Sequence, residues 1–471
     1  MRRWIIPIMA GAALIRLAGI RQPLWYDEAY TAMLVRLPFW PMIQAAVYDV
    51  HPPTWYLIDR AFTAVLGSNE VALRIPSFIL GMLSVYLAWR LAEDLLGDQT
   101  ALVVAMLMAI SPFAVYYSNE ARMYALLMAS VLAATVGIIE RKYTLTAISI
   151  ALVLLSHNTA LMYLPALALL AWPRFGFKRT AITLGVGVLP WMAWLPFMLN
   201  QIGKITQTGY WIWNVTGNKI AFMIAQMNEL MFRSVPDWLI PINVMVTCVF
   251  VVFPLIEAIR RKHKDALTLA MLAFVPMLAG LAVSIVYQPL TIARTLAGCL
   301  PAWLMLVAWW LMLPRQWTIQ RVALTSVALF TFVAANSDYL AYDRSMGMRG
   351  AADYLTQHVA PGEVVCHSDA SSTVITRYYF SGNVAVLDVP RDAMTDQTMR
   401  LARIYIVPES QCSWMLYAQS PLLDASVRPR IERLLAARRA EREFLIFQSS
   451  AASTEIWRLD DVAHPNVVSS H

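Results

Sequence analysis

Long apolar segments recur along the first two thirds of the chain, separated by short charged or proline-containing stretches. Many approach the length of about 17–25 residues that a helix needs to cross the hydrocarbon core of a bilayer. The candidate spans are 4–20, 71–92, 100–117, 122–139, 144–157, 159–172, 180–199, 240–259, 266–287, 292–313 and 318–336. The pattern therefore predicts a polytopic α-helical membrane domain with about eleven spans, occupying residues 1–336.

The pattern changes after Ala335, where apolar runs become shorter and alternate with polar segments. Four short apolar runs resemble buried strands, and two segments resemble helices, the second with a basic face. The predicted strands are 364–365, 385–387, 403–407 and 444–447, and the predicted helices are 351–358 and 427–443. Strands that alternate with helices are typical of a small α/β domain, which we assign to residues 337–471.

The basic residues gather in alternate connections between the predicted spans. The clusters follow Arg2-Arg3 and lie at 90–98, 140–142, 174–179, 260–264 and 315–321. Because lysine and arginine mark cytoplasmic loops, the N-terminus is predicted to be cytoplasmic. The connections on the other face are longer and rich in aromatic residues. They include the loops 21–70 and 200–239, and the α/β domain is on the same face.

Composition agrees with a membrane protein. Of the 471 residues, 59% are apolar and only 14% are charged, whereas a soluble domain carries about 25% charged residues. The net charge of +7 reflects membrane topology, so a nucleic-acid partner is not expected. The four cysteines lack the paired spacing of a zinc site. Cys366 and Cys412 lie in the predicted outer domain, where both a disulfide and two separate buried thiols remain open.

Chemically versatile residues concentrate on the predicted outer face. Asp27 and Glu28 follow the first span among aromatic residues; either a catalytic base or acids at a helix N-terminus explains them. His51 precedes two prolines, a pattern that also suits a simple helix start.

Further along, a second group of candidates lies in connections on the same face: Tyr117, Glu120, Arg122, Tyr124, His157 and Arg294. An arginine just inside a span is costly unless it is paired or faces a polar cavity. Its forked guanidinium suits phosphate oxygens. Acids, histidines and arginines at one level of the membrane favour an interfacial reaction site that binds hydroxyl-rich substrates and a phosphate.

The order of motifs resembles a known family. The motifs are Trp25-Tyr26-Asp27-Glu28-Ala29, His51-Pro52-Pro53 with Tyr56, Leu73-Arg74 with Pro76-Ser77, and Tyr117-Ser118-Asn119-Glu120-Ala121-Arg122-Met123-Tyr124. They resemble the bacterial dolichyl-phosphate-mannose protein mannosyltransferase-like family, which includes aminoarabinose transferases and belongs to the GT-C glycosyltransferases. Asn119 departs from the pattern, since glutamine is common at that position.

This resemblance implies a polyprenyl-phosphate sugar as donor, and a lipid, glycan or protein as acceptor, at the outer face of a plasma membrane. It implies that Asp27 is the catalytic base beside Glu28. The remaining candidates, His51, Tyr117, Glu120, Arg122, Tyr124, His157 and Arg294, would bind substrate, with Arg294 at the donor phosphate. No cofactor is certain: relatives differ in their use of a divalent metal, and the sequence shows no diagnostic ligand spacing.

Three other classes of membrane protein are alternatives. A transporter or lipid flippase would place ionisable residues near the bilayer midplane and would contain paired broken helices. A polysaccharide polymerase or ligase would use a diphosphate donor and different loop residues. A membrane scaffold would leave the ordered acidic and arginine motifs unexplained.

Overall fold

The structure is a computed structural model that describes residues 2–49, 51–208, 218–233, 236–287, 291–313, 318–387, 404–419, 427–449 and 452–459. The chain forms two compact units. The helical unit comprises Met1–Arg21 and Asp49–Tyr342, and the α/β unit comprises Gln22–Tyr48 and Asp343–His471. The first predicted outer loop is thus divided between the units, whereas the sequence had assigned it entirely to the membrane domain.

Helices dominate both the membrane domain and the loop that follows its first helix. In chain order they are α1 (Ile5–Gly19), α2 (Tyr26–Val35), α3 (Phe39–Tyr48), α4 (Thr54–Leu66), α5 (Glu70–Leu96), α6 (Asp98–Ile110), α7 (Pro112–Ser118), α8 (Tyr124–Ile139), α9 (Tyr143–Ser156), α10 (Leu164–Phe175), α11 (Phe177–Met192), α12 (Leu195–Thr208), α13 (Lys219–Phe232), α14 (Ile240–Arg260), α15 (Lys264–Val286), α16 (Leu300–Met312), α17 (Thr318–Ala341), α18 (Met348–His358), α19 (Ala370–Tyr379) and α20 (Val427–Ala437). Short 3-10 helices at Asn158–Tyr163 and Ala293–Cys299 precede α10 and α16.

The multi-pass membrane domain is confirmed, but the predicted number of spans is not. In the described part of the chain, five helices are long and apolar enough to cross a membrane, or seven if two bent pairs each count as one span. The first pair is α6 with α7, bent by 58° at Ser111, and the second is α11 with α12, bent by 64°. Several predicted spans form shorter helices, such as the 16 residues of α8 and the 14 of α9. Apolar runs therefore mark membrane-embedded segments, but a break such as that at Ser111 and Pro112 divides some of them into shorter helices.

One buried arginine fixes the helices that carry the central motif. Arg16, in α1, donates to Ser118 Oγ at 3.0 Å and to the carbonyl oxygen of Ala109 at 2.9 Å. The Ser111 side chain accepts from the backbone N–H of Ala114 and so caps α7. Because a buried guanidinium must find acceptors, Arg16 holds α1, α6 and α7 together. The segment from Asn119 to Tyr124 follows directly from this junction.

The α/β unit contains a mixed six-stranded sheet of order β3-β2-β1-β4-β6-β5. Its strands are β1 (Val364–His367), β2 (Asn383–Leu387), β3 (Tyr405–Val407), β4 (Trp414–Gln419), β5 (Glu441–Ser449) and β6 (Ala452–Arg458). β1 pairs in parallel with β2 and β4, β2 pairs in parallel with β3, and β6 runs antiparallel to β4 and β5. The predicted α/β domain is therefore confirmed.

Within this unit the sequence located the strands near 364, 385, 405 and 444 but missed β4, β6 and α19. Arg403, the first residue of a predicted strand, lies outside the described residues. The predicted helix 427–443 was too long: α20 ends at Ala437, and the chain turns at Arg439, which has φ 46°, before β5 begins. Cys366 and Cys412 form a disulfide, which settles the pairing that the sequence left open.

The loop segment Gln22–Tyr48 packs on the α/β unit through α2, which lies against α19. The backbone N–H of Leu24 donates to the Tyr379 hydroxyl at 2.7 Å, and the Arg36 guanidinium lies 4.9 Å from the centre of the Tyr378 ring. These contacts explain why the segment belongs to this unit.

Candidate functional site

A cavity of about 400 Å³ lies within the helical unit. Its polar lining residues include His51, Tyr124, His157, Asn158, Gln201 and Arg294. Its apolar lining residues include Leu161, Met162, Met198, Ile202, Val283 and Ile292. A mostly apolar cavity with a few convergent polar groups is the usual form of a small-molecule site. The cavity brings together four of the predicted site residues: His51, Tyr124, His157 and Arg294.

The ring side chains in this cavity are in mutual contact. The ring centres of His51 and His157 are 4.6 Å apart, and that of Tyr124 is 6.1 Å from His157. The Arg294 guanidinium lies 5.7 Å from the centre of the Tyr124 ring, within reach of a cation–π interaction. The helix ends and loops that carry these residues are far apart in sequence, so only packing of the helices assembles them.

Both histidines are held in the uncharged form. Burial lowers the pKa of His51 well below its usual value, and the proximity of His157, Arg122 and Arg294 adds to this effect. Burial also lowers the pKa of His157, with further contributions from Arg294 and Arg122. Nδ1 of His157 accepts a hydrogen bond from the backbone N–H of Thr159 at 3.2 Å. Since an amide can only donate, the neutral His157 ring carries its proton on Nε2.

A second polar chain includes two residues that the sequence analysis did not select as site residues. The Arg122 guanidinium donates to the Tyr56 hydroxyl at 3.4 Å, and this hydroxyl donates to Asp49 Oδ2. All three side chains are buried. Tyr56 was visible only as part of the His51-Pro52-Pro53 motif. Asp49, two positions before His51, offered no pattern of its own.

Glu120 and Tyr117 lie at the junction of α7 and α8. Glu120 is fully buried, and its backbone carbonyl accepts a hydrogen bond from the Ser77 hydroxyl. The ring centres of Tyr117 and Tyr124 are 5.0 Å apart. Arg233, another residue that the sequence analysis missed, has its guanidinium 5.9 Å from the Tyr117 ring centre. Glu120 and Tyr117 therefore belong to the buried surroundings of the cavity, whose lining includes Tyr124.

Asp27 and Glu28 belong to the α/β unit, in the first turn of α2. Asp27 is half-buried, and its backbone carbonyl accepts a hydrogen bond from Thr31 Oγ1 at 2.9 Å. Glu28 is fully buried, and its carboxylate lies 3.3 Å from the Arg344 guanidinium. The two adjacent acids therefore occupy different environments, one reachable by solvent and one committed to an internal ion pair.

No group of three or more histidine, cysteine, aspartate or glutamate side chains in the described ranges is arranged to hold a metal ion. The pair formed by His51 and His157 lacks a third such ligand in this part of the chain. The described donor set does not fit a resident divalent ion, and no step below is routed through one.

Comparison with known proteins agrees with the motifs. Residues 50–199 match the family model described as dolichyl-phosphate-mannose-protein mannosyltransferase. The fold is similar to that of ArnT from Cupriavidus metallidurans in the apo state, with a TM-score of 0.64 and 12% identity, over 97% of this chain and 98% of that one. The same protein bound to undecaprenyl phosphate matches with a TM-score of 0.63 and 12% identity, over 96% of this chain and 98% of that one. No curated protein sequence matches significantly.

The matched range 50–199 contains His51, Tyr117, Glu120, Arg122, Tyr124 and His157. At 12% identity the likeness to ArnT establishes the fold, and the family match covers the motifs around the cavity. Both findings support the resemblance that the motifs indicated: residues 50–199 match the dolichyl-phosphate-mannose-protein mannosyltransferase model, and the chain has a fold similar to that of ArnT.

Proposed function

We propose that this protein is a membrane glycosyltransferase that moves a hexose or pentose from a polyprenyl-phosphate donor to an acceptor hydroxyl on a lipid, glycan or protein. The observation that carries the proposal is the cavity of the helical unit, whose lining combines the positively charged Arg294 with mostly apolar side chains. A polyprenyl-phosphate sugar has the same combination of an anionic phosphate and an apolar chain.

Arg294 is the proposed phosphate ligand. Its planar guanidinium offers two parallel N–H donors to phosphate oxygens, and the surrounding apolar walls strengthen the interaction by excluding water. The cavity volume of about 400 Å³ is in the range of about 300–1,000 Å³ typical of small-molecule sites. It suits the phosphate and the part of the donor nearest to it.

The reaction is a direct displacement with inversion at the anomeric carbon. The acceptor oxygen forms the new bond as the bond between the anomeric carbon and the phosphate oxygen breaks, and the phosphate keeps the electron pair. Asp27, the half-buried acid of the motif, takes the proton from the acceptor hydroxyl, as the resemblance implies. Glu28 fixes the first turn of α2 through Arg344. Polyprenyl phosphate is a stable anion, so its departure needs no general acid.

The disulfide supports the proposed orientation. Disulfides form and persist outside the cytoplasm, and Cys366 and Cys412 are bonded in the α/β unit. This compartment agrees with the distribution of lysine and arginine, which places the N-terminus in the cytoplasm. We therefore place the α/β unit outside the cytoplasm, at the plasma (inner) membrane, and the transfer reaction on the same face.

The test is sugar transfer in membranes that contain equal amounts of wild-type, Asp27→Asn or Arg294→Gln protein. A mixture of radiolabelled polyprenyl-phosphate hexoses and pentoses is added, and loss of label from the donor lipid is measured. Wild type should consume a donor, and both variants should be slower by about 10²–10³-fold. Asp98→Asn, which changes an exposed acid at the start of α6, is the matched control. Donor that crosses the membrane without losing its sugar would indicate a flippase and overturn the proposal.

A further inference from the structure

The transfer reaction changes the charge of the lipid phosphate. In the donor this phosphate is a diester with one negative charge. After the sugar leaves, it is a monoester whose second ionisation has a pKa of about 6, so it carries close to two charges at neutral pH. The cavity must therefore accommodate an additional negative charge on the product side of the reaction. This inference rests on the proposed function.

Two uncharged imidazoles line the cavity together with Arg294. His51 and His157 are buried, and their ring centres are 4.6 Å apart. The backbone N–H of Thr159 donates a hydrogen bond to Nδ1 of His157 and so fixes that edge of the ring. Nδ1 of His51 is buried with no hydrogen-bond partner in the described part of the chain. Burying polar imidazole nitrogens that lack hydrogen-bond partners costs folding free energy, which suggests that this pair has a functional role.

We propose that His51 and His157 form a proton-accepting pair that stabilises the second negative charge of the polyprenyl phosphate product. The pair takes up one proton as this charge develops, and the resulting imidazolium joins Arg294 at the phosphate. Uptake stops at one proton because a second positive charge on a ring 4.6 Å away is unfavourable. The proton comes from solvent, since the acceptor's proton has already passed to Asp27.

The charged and titratable groups around the pair explain why it is neutral before the reaction. Arg122 and Arg294 repel a proton from both rings. The Tyr124 ring, whose centre is 6.1 Å from that of His157, packs against the pair. Asp49, two residues before His51, accepts a hydrogen bond from Tyr56, which in turn accepts from Arg122. A phosphate dianion bound at Arg294 offsets the charges of the two arginines and so favours protonation of one histidine of the pair.

The pair therefore couples product affinity to pH. Because the bound product holds one more proton than the free partners, its dissociation constant should rise as pH rises. Above pH 7 free prenyl phosphate is already mostly dianionic, so the dependence in this range belongs to the protein. A diester has one charge at every pH in this range and should bind without proton uptake. Product would thus leave more readily at higher pH, while donor binding would change little.

The experiment uses the full chain in detergent, with farnesyl phosphate as product probe and its methyl diester as donor-charge probe. Binding is measured by calorimetry between pH 7 and pH 8.5, in buffers with different ionisation enthalpies, to count protons. For wild type we expect uptake of about one proton and a dissociation constant that rises roughly tenfold per pH unit for the monoester only. In His51→Gln and His157→Asn the rise should be less than about twofold over the range.

The matched control is His358→Gln, an exposed histidine on α18 that should behave as wild type. In His157→Asn the asparagine side chain keeps an acceptor for the backbone N–H of Thr159, so the two variants perturb the fold in different ways. If both variants unfold, the number of protons that wild type takes up on binding the monoester decides the question. Monoester binding without proton uptake, or equal uptake in a folded variant, overturns the inference and leaves the transferase proposal standing. Absence of prenyl phosphate binding to wild type removes both.

Discussion

Glu28 and Arg344, which are far apart in the sequence, form a fully buried ion pair with a distance of 3.3 Å between carboxylate oxygen and guanidinium nitrogen. The pair joins the start of α2 to the segment before α18 inside the α/β unit. Of the two neighbouring acids Asp27 and Glu28, the buried Glu28 is the one in this ion pair.

The first prediction concerns this pair. Glu28→Gln should destabilise the protein by about 3–5 kcal/mol because it removes the carboxylate from a buried ion pair and leaves the buried Arg344 charge in place. The double change Glu28→Leu with Arg344→Met should recover most of the loss, since neither charge remains. Thermal unfolding in detergent measures both, with Asp98→Asn, which changes an exposed acid, as the control that should keep the wild-type melting temperature. A Glu28→Gln protein of normal stability without transfer activity would instead make Glu28 a catalytic residue.

The second prediction concerns the cation in the cavity. Arg294→Lys keeps the charge but loses the forked geometry, so we expect weakened prenyl phosphate binding, and Arg294→Gln should bind still more weakly. Transfer by Arg294→Gln should fall by about 10²–10³-fold. Arg179→Gln, which removes an exposed arginine bonded to the Tyr143 hydroxyl, is the control. If prenyl phosphate binds Arg294→Gln as tightly as wild type, the phosphate lies elsewhere.

The third prediction concerns the wall of the cavity. A Cβ atom added at Gly280 would lie 2.5 Å from Thr291 Oγ1, and both residues line the cavity. Gly280→Ala should therefore displace Thr291 and raise the KM for the donor several-fold. At Gly185, in α11, an added Cβ would meet nothing within 4 Å, so Gly185→Ala is the matched control. Equal KM values for the two variants would show that this wall does not contact the donor.

The fourth prediction concerns the disulfide. Replacing Cys366 and Cys412 together by serine should destabilise the α/β unit by about 4 kcal/mol, the loop-closure value for a sequence separation of 46 residues. Mass spectrometry after alkylation without reductant should find these two cysteines unmodified, and reduction of the unfolded chain before alkylation should make both modifiable. Alkylation of Cys366 in the native protein would contradict both the bond and the proposed compartment.

The fifth prediction concerns His367, which is fully buried in β1 and whose Nδ1 lies 3.1 Å from the Ser372 hydroxyl. Burial lowers its pKa to about 3. In the unfolded chain this histidine has its usual pKa of about 6.5 and binds a proton below that pH, whereas in the folded chain it stays unprotonated down to about pH 3. The free energy of unfolding therefore falls by about 1.4 kcal/mol per pH unit as the pH decreases from about 6.5 towards 3.

Denaturant unfolding of the full chain at pH 7, 6 and 5 measures this slope. His367→Gln should flatten the part of the slope that this histidine contributes, whereas His358→Gln, which changes an exposed histidine, should not. An unchanged slope in a folded His367→Gln protein would show that His367 does not titrate as described.

The sequence by itself determined the class of protein, the approximate position of the membrane-embedded segments and the resemblance to the family whose model matches residues 50–199. These follow from local properties. A water-soluble globule could not bury so many long apolar runs, and the motifs from Asp27 to Tyr124 occur in a recognisable order along the chain. It also located the small α/β domain from short apolar runs such as 385–387. The number of spans that it predicted is not confirmed in the described part of the chain, because residues such as Ser111 and Pro112 and the packing of the helices set where a helix ends.

Only the tertiary structure decided which of the candidate residues meet. His51, His157 and Arg294 lie in three distant segments, and their convergence depends on how the helices pack, which no local pattern contains. The same applies to the pairing of Glu28 with Arg344 and of Cys366 with Cys412. The physical reason is that hydrophobic periodicity fixes the face that an element buries, whereas the partner of a buried charge or thiol is chosen by the three-dimensional packing of elements remote in the sequence.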